Sequence, residues 1–133
     1  MLIRRVDPAF SVHHTELSNM PTEIHNILAN LPPALSGEVF TTIVESEYVR
    51  IERIVSNGQA TPEDSWYDQE RDEWVLVLAG SADLLFDDTQ HPQRLIAGDY
   101  ALIPAGSRHR VTWTDPAEKT VWLAVHFTSA LAP

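Results

Sequence analysis

Residues 98 to 113 read Gly-Asp-Tyr-Ala-Leu-Ile-Pro-Ala-Gly-Ser-Arg-His-Arg-Val-Thr-Trp. The run obeys the spacing G-x5-P-x-G-x2-H. Its punctuation predicts a turn at Gly98-Asp99, a strand, a second turn at Pro104-Ala105-Gly106, and a new strand starting near His109. Side chains alternate along a strand, so His109, Val111 and Trp113 are expected on one face, with Arg108, Arg110 and Thr112 on the other. The first face is apolar apart from one imidazole. A small barrel places a metal ligand or an acid–base group at such a position.

The same reading extends upstream. Residues 65 to 80 read Ser-Trp-Tyr-Asp-Gln-Glu-Arg-Asp-Glu-Trp-Val-Leu-Val-Leu-Ala-Gly. Alternation puts Glu73, Val75, Val77 and Ala79 on one face and Trp74, Leu76 and Leu78 on the other. Both faces are apolar, so the strand is expected to be buried on both sides. A carboxylate opening such a strand is costly unless paired, protonated or metal-bound, which singles out Glu73. In the last strand His126 shares a face with Trp122 and Ala124. In Tyr48 to Val55, Arg53 shares an apolar face with Val49, Ile51 and Val55, where it can meet a substrate carboxylate or phosphate. Trp66, Tyr67 and Trp113 are candidate pocket walls.

β signals continue from residue 38 to Phe127, with nine short strands expected: 39–44, 48–55, 65–69, 73–79, 82–86, 94–96, 100–103, 109–113 and 120–127. Short strands and frequent turns predict an all-β sandwich or barrel and disfavour a parallel α/β sheet. Asn19 to Leu31 is expected to be a helix packed outside, because Ile24, Ile27, Leu28 and Leu31 recur at helical spacing before Pro32-Pro33. Residues 1–18 are read as an N-terminal arm, residues 19–133 as one domain, and Ser129 to Pro133 as a loose tail.

The chain has 133 residues, enough for one core. It has no cysteine, which excludes disulfides, thiolate metal sites and cysteine nucleophiles. A net charge of −10 argues against a nucleic-acid partner. No apolar run approaches the roughly 20 residues of a membrane span, and no secretory leader is evident. A cytoplasmic protein with a small-molecule ligand and no membrane partner is expected.

Together the two quoted stretches resemble the cupin superfamily, whose first motif is G-x5-H-x-H-x3-4-E-x6-G and whose second is G-x5-P-x-G-x2-H-x3-N. The second motif matches through His109, with Trp113 in place of the final Asn. The first matches at Glu73 and Gly80, but its two histidines are replaced. A four-residue spacer puts their places on Trp66 and Asp68; a three-residue spacer puts them on Tyr67 and Gln69. The wording is similar to small single-domain bacterial cupins with a Trp-Tyr-Asp-Gln segment.

This resemblance implies a jelly-roll β-barrel (a double-stranded β-helix), commonly a homodimer joined through sheet edges. It also implies a divalent metal (manganese, iron, zinc or nickel) held by Glu73 and His109 with Asp68 or Gln69 and His126. The oxygen-rich donor set suits manganese, iron(II) or magnesium better than structural zinc. The expected function is a mononuclear metalloenzyme, an isomerase or oxygenase. The alternatives are a metal-free epimerase or lyase using Glu73 and His109 as catalytic groups, and a small-molecule binding protein without turnover.

Overall fold

A computed structural model describes residues 22–33 and 36–128. Eight strands follow one another: β1 (Val39–Glu45), β2 (Val49–Ser56), β3 (Asp72–Ala79), β4 (Ser81–Phe86), β5 (Gln93–Ile96), β6 (Tyr100–Ile103), β7 (His109–Thr114) and β8 (Thr120–Phe127). They form a five-stranded sheet in the order β1-β2-β8-β3-β6 and a three-stranded sheet in the order β5-β4-β7. Every pairing is antiparallel. The chain is all-β, as its alternating patterns require. No helix among the described residues is long and apolar enough to cross a membrane.

Four expectations need correction. The strands do not close into one continuous barrel. Between the two sheets the backbone is joined where β5 turns into β6, by bonds from Val77 N to Asp99 O (2.9 Å) and from Gly98 N to Val77 O (2.8 Å), while the segment at 65–69, in neither sheet, meets β7 at the isolated Tyr67–His109 bridge. The expected strand at 65–69 shrinks to that single bridge.

The helix expected at 19–31 is absent over its described part, 22–31, which is extended chain and a single turn. Its carbonyls have other partners: the Arg53 guanidinium takes Ile27 O (3.1 Å) and Ala29 O (3.2 Å). The Asn26 side chain accepts from Leu28 N at 2.8 Å, an Asx turn that competes with helix, and Asn30 turns left-handed at φ 54°. Ile24, meant for a buried stripe, is 95% exposed. Residues 19–21, the arm 1–18 and the tail 129–133 lie outside the described residues.

The last correction concerns β7. Asp83 pairs with Trp113 and Leu84 with Val111, so Thr112 is an extra residue, a bulge. The bulge reverses the alternation beyond it. His109, Val111 and Thr114 point inward and are buried, while Trp113 turns outward beneath the Arg94 guanidinium, 4.3 Å from its ring centre.

The core lies between the sheets. Ile54, Val75, Val77, Ile103, Trp122 and Ala124 from one sheet meet Ala82, Leu84, Leu95 and Val111 from the other. Each such side chain contributes about 1.5–3 kcal/mol when fully buried. Gly80 lets β3 turn directly into β4 at φ +82°, where a Cβ would lie 2.5 Å from Thr120 Oγ1. This core occupies one end of the sandwich. The other end is polar.

Candidate functional site

The inner face of the five-stranded sheet can be read row by row. One row runs Phe40, Ile54, Trp122, Val77 and is apolar. Nearer the other end, Thr42, Glu52, Ala124 and Val75 lie side by side. The last row is Glu45, Arg50, His126, Glu73 and Ile103. Period-two alternation therefore converts four separated sequence positions into one contiguous buried polar strip. His109 reaches it from β7, on the facing sheet.

Glu73 and His109 are fully buried, and His126 and Glu52 are each 1% exposed. His109 Nε2 stands 3.8 Å from Glu73 Oε1, and His126 Nε2 stands 3.8 Å from Glu73 Oε2. His126 Nε2 is closer to Glu52 Oε1, at 3.0 Å. Glu52 in turn lies 3.4 Å from Arg50 Nε, and Arg50 also meets Glu45 (3.6 Å) and donates to Thr42 Oγ1 (3.1 Å). Arginine stays charged when buried, so the Glu52–Arg50 contact is a charge pair inside the fold.

Protonation follows from these partners. His109 Nδ1 is 2.9 Å from the Ser107 carbonyl oxygen. A carbonyl can only accept, so Nδ1 carries the proton and Nε2 keeps its lone pair. Nε2 is buried with no hydrogen-bond partner among the described residues. Burial holds the His109 pKa below its usual value, against the Ser107 bond. Glu73 is pushed the opposite way, up to about 8, first by burial and then by the nearby Glu52 charge, with a Gln69 hydrogen bond opposing. At neutral pH the pair is a carboxylic acid beside a neutral imidazole. Their 3.8 Å separation exceeds a hydrogen bond, so neither satisfies the other.

The remaining candidates separate into two groups. Tyr67 is buried, its ring centre 5.8 Å from that of His109, and its hydroxyl has no hydrogen-bond partner among the described residues. Gln69 bonds to Glu73, and its carbonyl accepts from Gly106 N at 2.9 Å, tying the second motif's turn to the first. Tyr67 and Gln69 thus belong to the site. Asp68 is exposed, and Trp66 lies under Arg108 and Arg110 on the outside. Trp113 is also outside, because of the Thr112 bulge. Arg53 holds segment 27–29 on the outer face of β2. Sequence reasoning overlooked Arg50 and Glu52. Their faces in β2 carry two polar residues to Arg53's one, so the face with Arg53 looked like the inner one.

A divalent metal does not fit this donor set. His126 Nε2 faces a carboxylate that accepts its proton, which leaves no lone pair there for an ion. Asp68 faces away. Among the described residues no group of three or more His, Cys, Asp or Glu side chains could hold a metal ion.

Neither of two cavities among the described residues includes Glu73 or His109. One, of about 320 Å³, opens between β4, β5 and β6 and is lined by Phe86, Leu84, Leu95 and Ala101. Phe86 lines this cavity, and its ring centre lies 6.2 Å from that of His109.

Comparison with known proteins was made on sequence and on structure. Residues 51–126 match the family profile described as Cupin domain. A candidate mannose-6-phosphate isomerase from Ralstonia eutropha is 44% identical, with a TM-score of 0.78, over 81% of this chain and 100% of its own. A cupin superfamily protein from Desulfitobacterium hafniense is 21% identical, with a TM-score of 0.66, over 84% of this chain and 96% of its own. A Klebsiella pneumoniae protein with a double-stranded beta-helix domain is 17% identical, with a TM-score of 0.66, over 83% of this chain and 93% of its own. The last two likenesses speak to the fold alone. No curated protein sequence matches the chain.

Proposed function

We propose a function from the premise that this chain belongs to the cupin superfamily: it is a small-molecule isomerase that moves a proton with Glu73 and His109. The observation that carries the proposal is the buried, mutually unsatisfied pair, with the proton on the carboxyl and the lone pair on Nε2. The reading takes its reaction class from the likeness to the Ralstonia eutropha protein.

The chemistry is the interconversion of neighbouring hydroxyl and carbonyl groups. His109 Nε2 removes the proton from the carbon beside a carbonyl while Glu73 gives its proton to the carbonyl oxygen. The electron pair of the broken C–H bond becomes the C=C bond of an enediol. His109 then returns its proton to the former carbonyl carbon while the ionised Glu73 takes the proton of the neighbouring hydroxyl, which becomes the new carbonyl; this gives the isomer and restores both residues. Opposed pKa shifts suit this division of labour, since the acid starts protonated and the base starts free. Ser107 O holds the imidazole in the required tautomer, and the Tyr67 hydroxyl offers a further hydrogen bond to the substrate. Entry is by displacement of the Phe86 ring. Pairing as a homodimer is supported by the apolar edge strand β1, where Ile43 and Val44 are each 48% exposed.

Hydrogen–deuterium exchange tests this. In heavy water the protein is expected to exchange the carbon-bound proton beside the carbonyl in hydroxy-carbonyl compounds, mannose 6-phosphate among them. Glu73→Gln and His109→Gln should each lower the rate at least about a hundredfold, and prior chelation should leave it unchanged. Exchange that appears only after a divalent metal is added would replace this reading with the metalloenzyme. Saturable binding with no exchange would replace it with a binding protein.

A further inference from the structure

The outer face of β2 carries a cation that the interior cluster does not use. Arg53 alternates with Glu52 and Ile54, so it lies on the side of the sheet away from Glu73. Its Nη1 donates to two carbonyls, Ile27 O at 3.1 Å and Ala29 O at 3.2 Å, which uses both protons of that nitrogen. The other edge of the guanidinium, Nε with Nη2, makes no hydrogen bond to any described residue, and Nε is buried without a partner. Arginine ion pairs among the described residues belong to Arg50, Arg94 and Arg108, and none involves Arg53. Among the described residues Arg53, like Arg71 and Arg110, has no acidic partner, and of the three it alone lines one of the two cavities described here.

The same side chain lines a cavity of about 770 Å³ between segment 24–30 and the outer surface of β1 and β2. That volume lies within the range of small-molecule sites. Ile27 and Ile43 form an apolar wall, and Thr41, His25 and Asn30 add polar groups. A guanidinium edge with two parallel N–H groups matches an oxyanion bidentately. Anchoring Nη1 to backbone fixes the plane of that edge, so little freedom is lost when a ligand arrives.

We propose that this cavity binds a small organic anion, its carboxylate or phosphate on the Nε–Nη2 edge of Arg53 and its apolar body against Ile27 and Ile43. The site is separated from Glu73 and His109 by the thickness of the sheet and does not depend on their chemistry.

The test is a titration of the whole protein at constant ionic strength, followed by calorimetry and by backbone amide signals. Benzoate and phenyl phosphate represent the two head groups on one apolar body, acetate and inorganic phosphate the heads alone, and benzyl alcohol the body without charge. Saturable binding of benzoate or phenyl phosphate is expected, moving the amide signals of Thr41 and Ile43. It should weaken at least about tenfold in Arg53→Gln and stay unchanged in Glu73→Gln. Arg53→Lys keeps a donor for the two carbonyls but loses the fork, and should also weaken binding. The preferred head group identifies the ligand as a carboxylic acid or a phosphate ester. Absence of saturable binding, equal binding of benzyl alcohol, or full affinity in Arg53→Lys overturns the proposal.

Discussion

Glu73 has a consequence for stability as well as for chemistry. Its folded-state pKa, about 8, lies above the ordinary value of 4.5. Below the ordinary value both folded and unfolded chains hold the proton. Between the two values the unfolded chain releases it and the folded one keeps it, so stability falls as pH rises through that window. Glu38, raised to about 7 by burial despite the hydroxyl of Ser56, acts in the same direction. His109 acts oppositely, since its lowered pKa removes stability as pH drops below its ordinary value. Glu73→Gln should therefore flatten the decline between about pH 5 and pH 8, gaining several kcal/mol over the parent at the upper end. Urea unfolding midpoints at the two pH values check this; an unchanged slope would mean Glu73 is ionised in the fold. The importance of this residue was legible in the sequence, because a carboxylate opening a strand apolar on both faces demands an explanation. The partner carboxylate on Glu52 was not, since it depends on which face of β2 turns inward.

At the scale of elements, two local features decide where side chains go. The Gly80 turn is the tighter. Gly80→Ala places a Cβ 2.5 Å from Thr120 Oγ1 and 2.6 Å from Thr120 Cα at a left-handed φ. Strain and overlap together should cost about 3 kcal/mol or more, visible as a lowered thermal midpoint. A loss under about 1 kcal/mol would mean β3 and β8 separate easily there. The bulge at Thr112 is the second feature. Period-two reasoning carries His109 and Val111 to their observed face and then fails at Trp113, because nothing in His-Arg-Val-Thr-Trp announces an extra residue. The strands themselves were legible from β-branched runs and turn residues, eight of nine within a residue or two. The failed helix had the right apolar spacing. It lost to Asn26, Asn30 and the reach of Arg53, and the last of these is a tertiary contact that no local pattern encodes.

Over the whole molecule the interior is divided, with an apolar end around Trp122 and a polar end around His126. The polar end contains Arg50 at 3% side-chain exposure, between Glu45 and Glu52. Removing a partner from a buried pair strands the other charge, so Arg50→Met should cost about 3–5 kcal/mol. Arg94→Met removes a half-exposed contact with Asp83 and should cost under about 1 kcal/mol. Equal losses in denaturant titrations would mean that water reaches Arg50. The gross all-β plan could be read from strand and turn patterns, and the meeting of the two motifs was implied by the resemblance to cupins. The closure of the sheets could not, since it depends on hydrogen bonds between strand ends that no residue pattern specifies.

The carboxyl of Glu73 belongs to the five-stranded sheet and the imidazole of His109 to the three-stranded one. Few backbone contacts among the described residues bridge the two, so the gap between carboxyl and imidazole is set by how far the plates of the sandwich stand apart. In the proposed reaction both groups must reach one substrate at once, and proton transfer falls off steeply with distance. If the proposed isomerase chemistry holds, a motion that only breathes the plates, leaving every strand intact, modulates turnover, and hydrostatic compression should register in rate before it registers in unfolding.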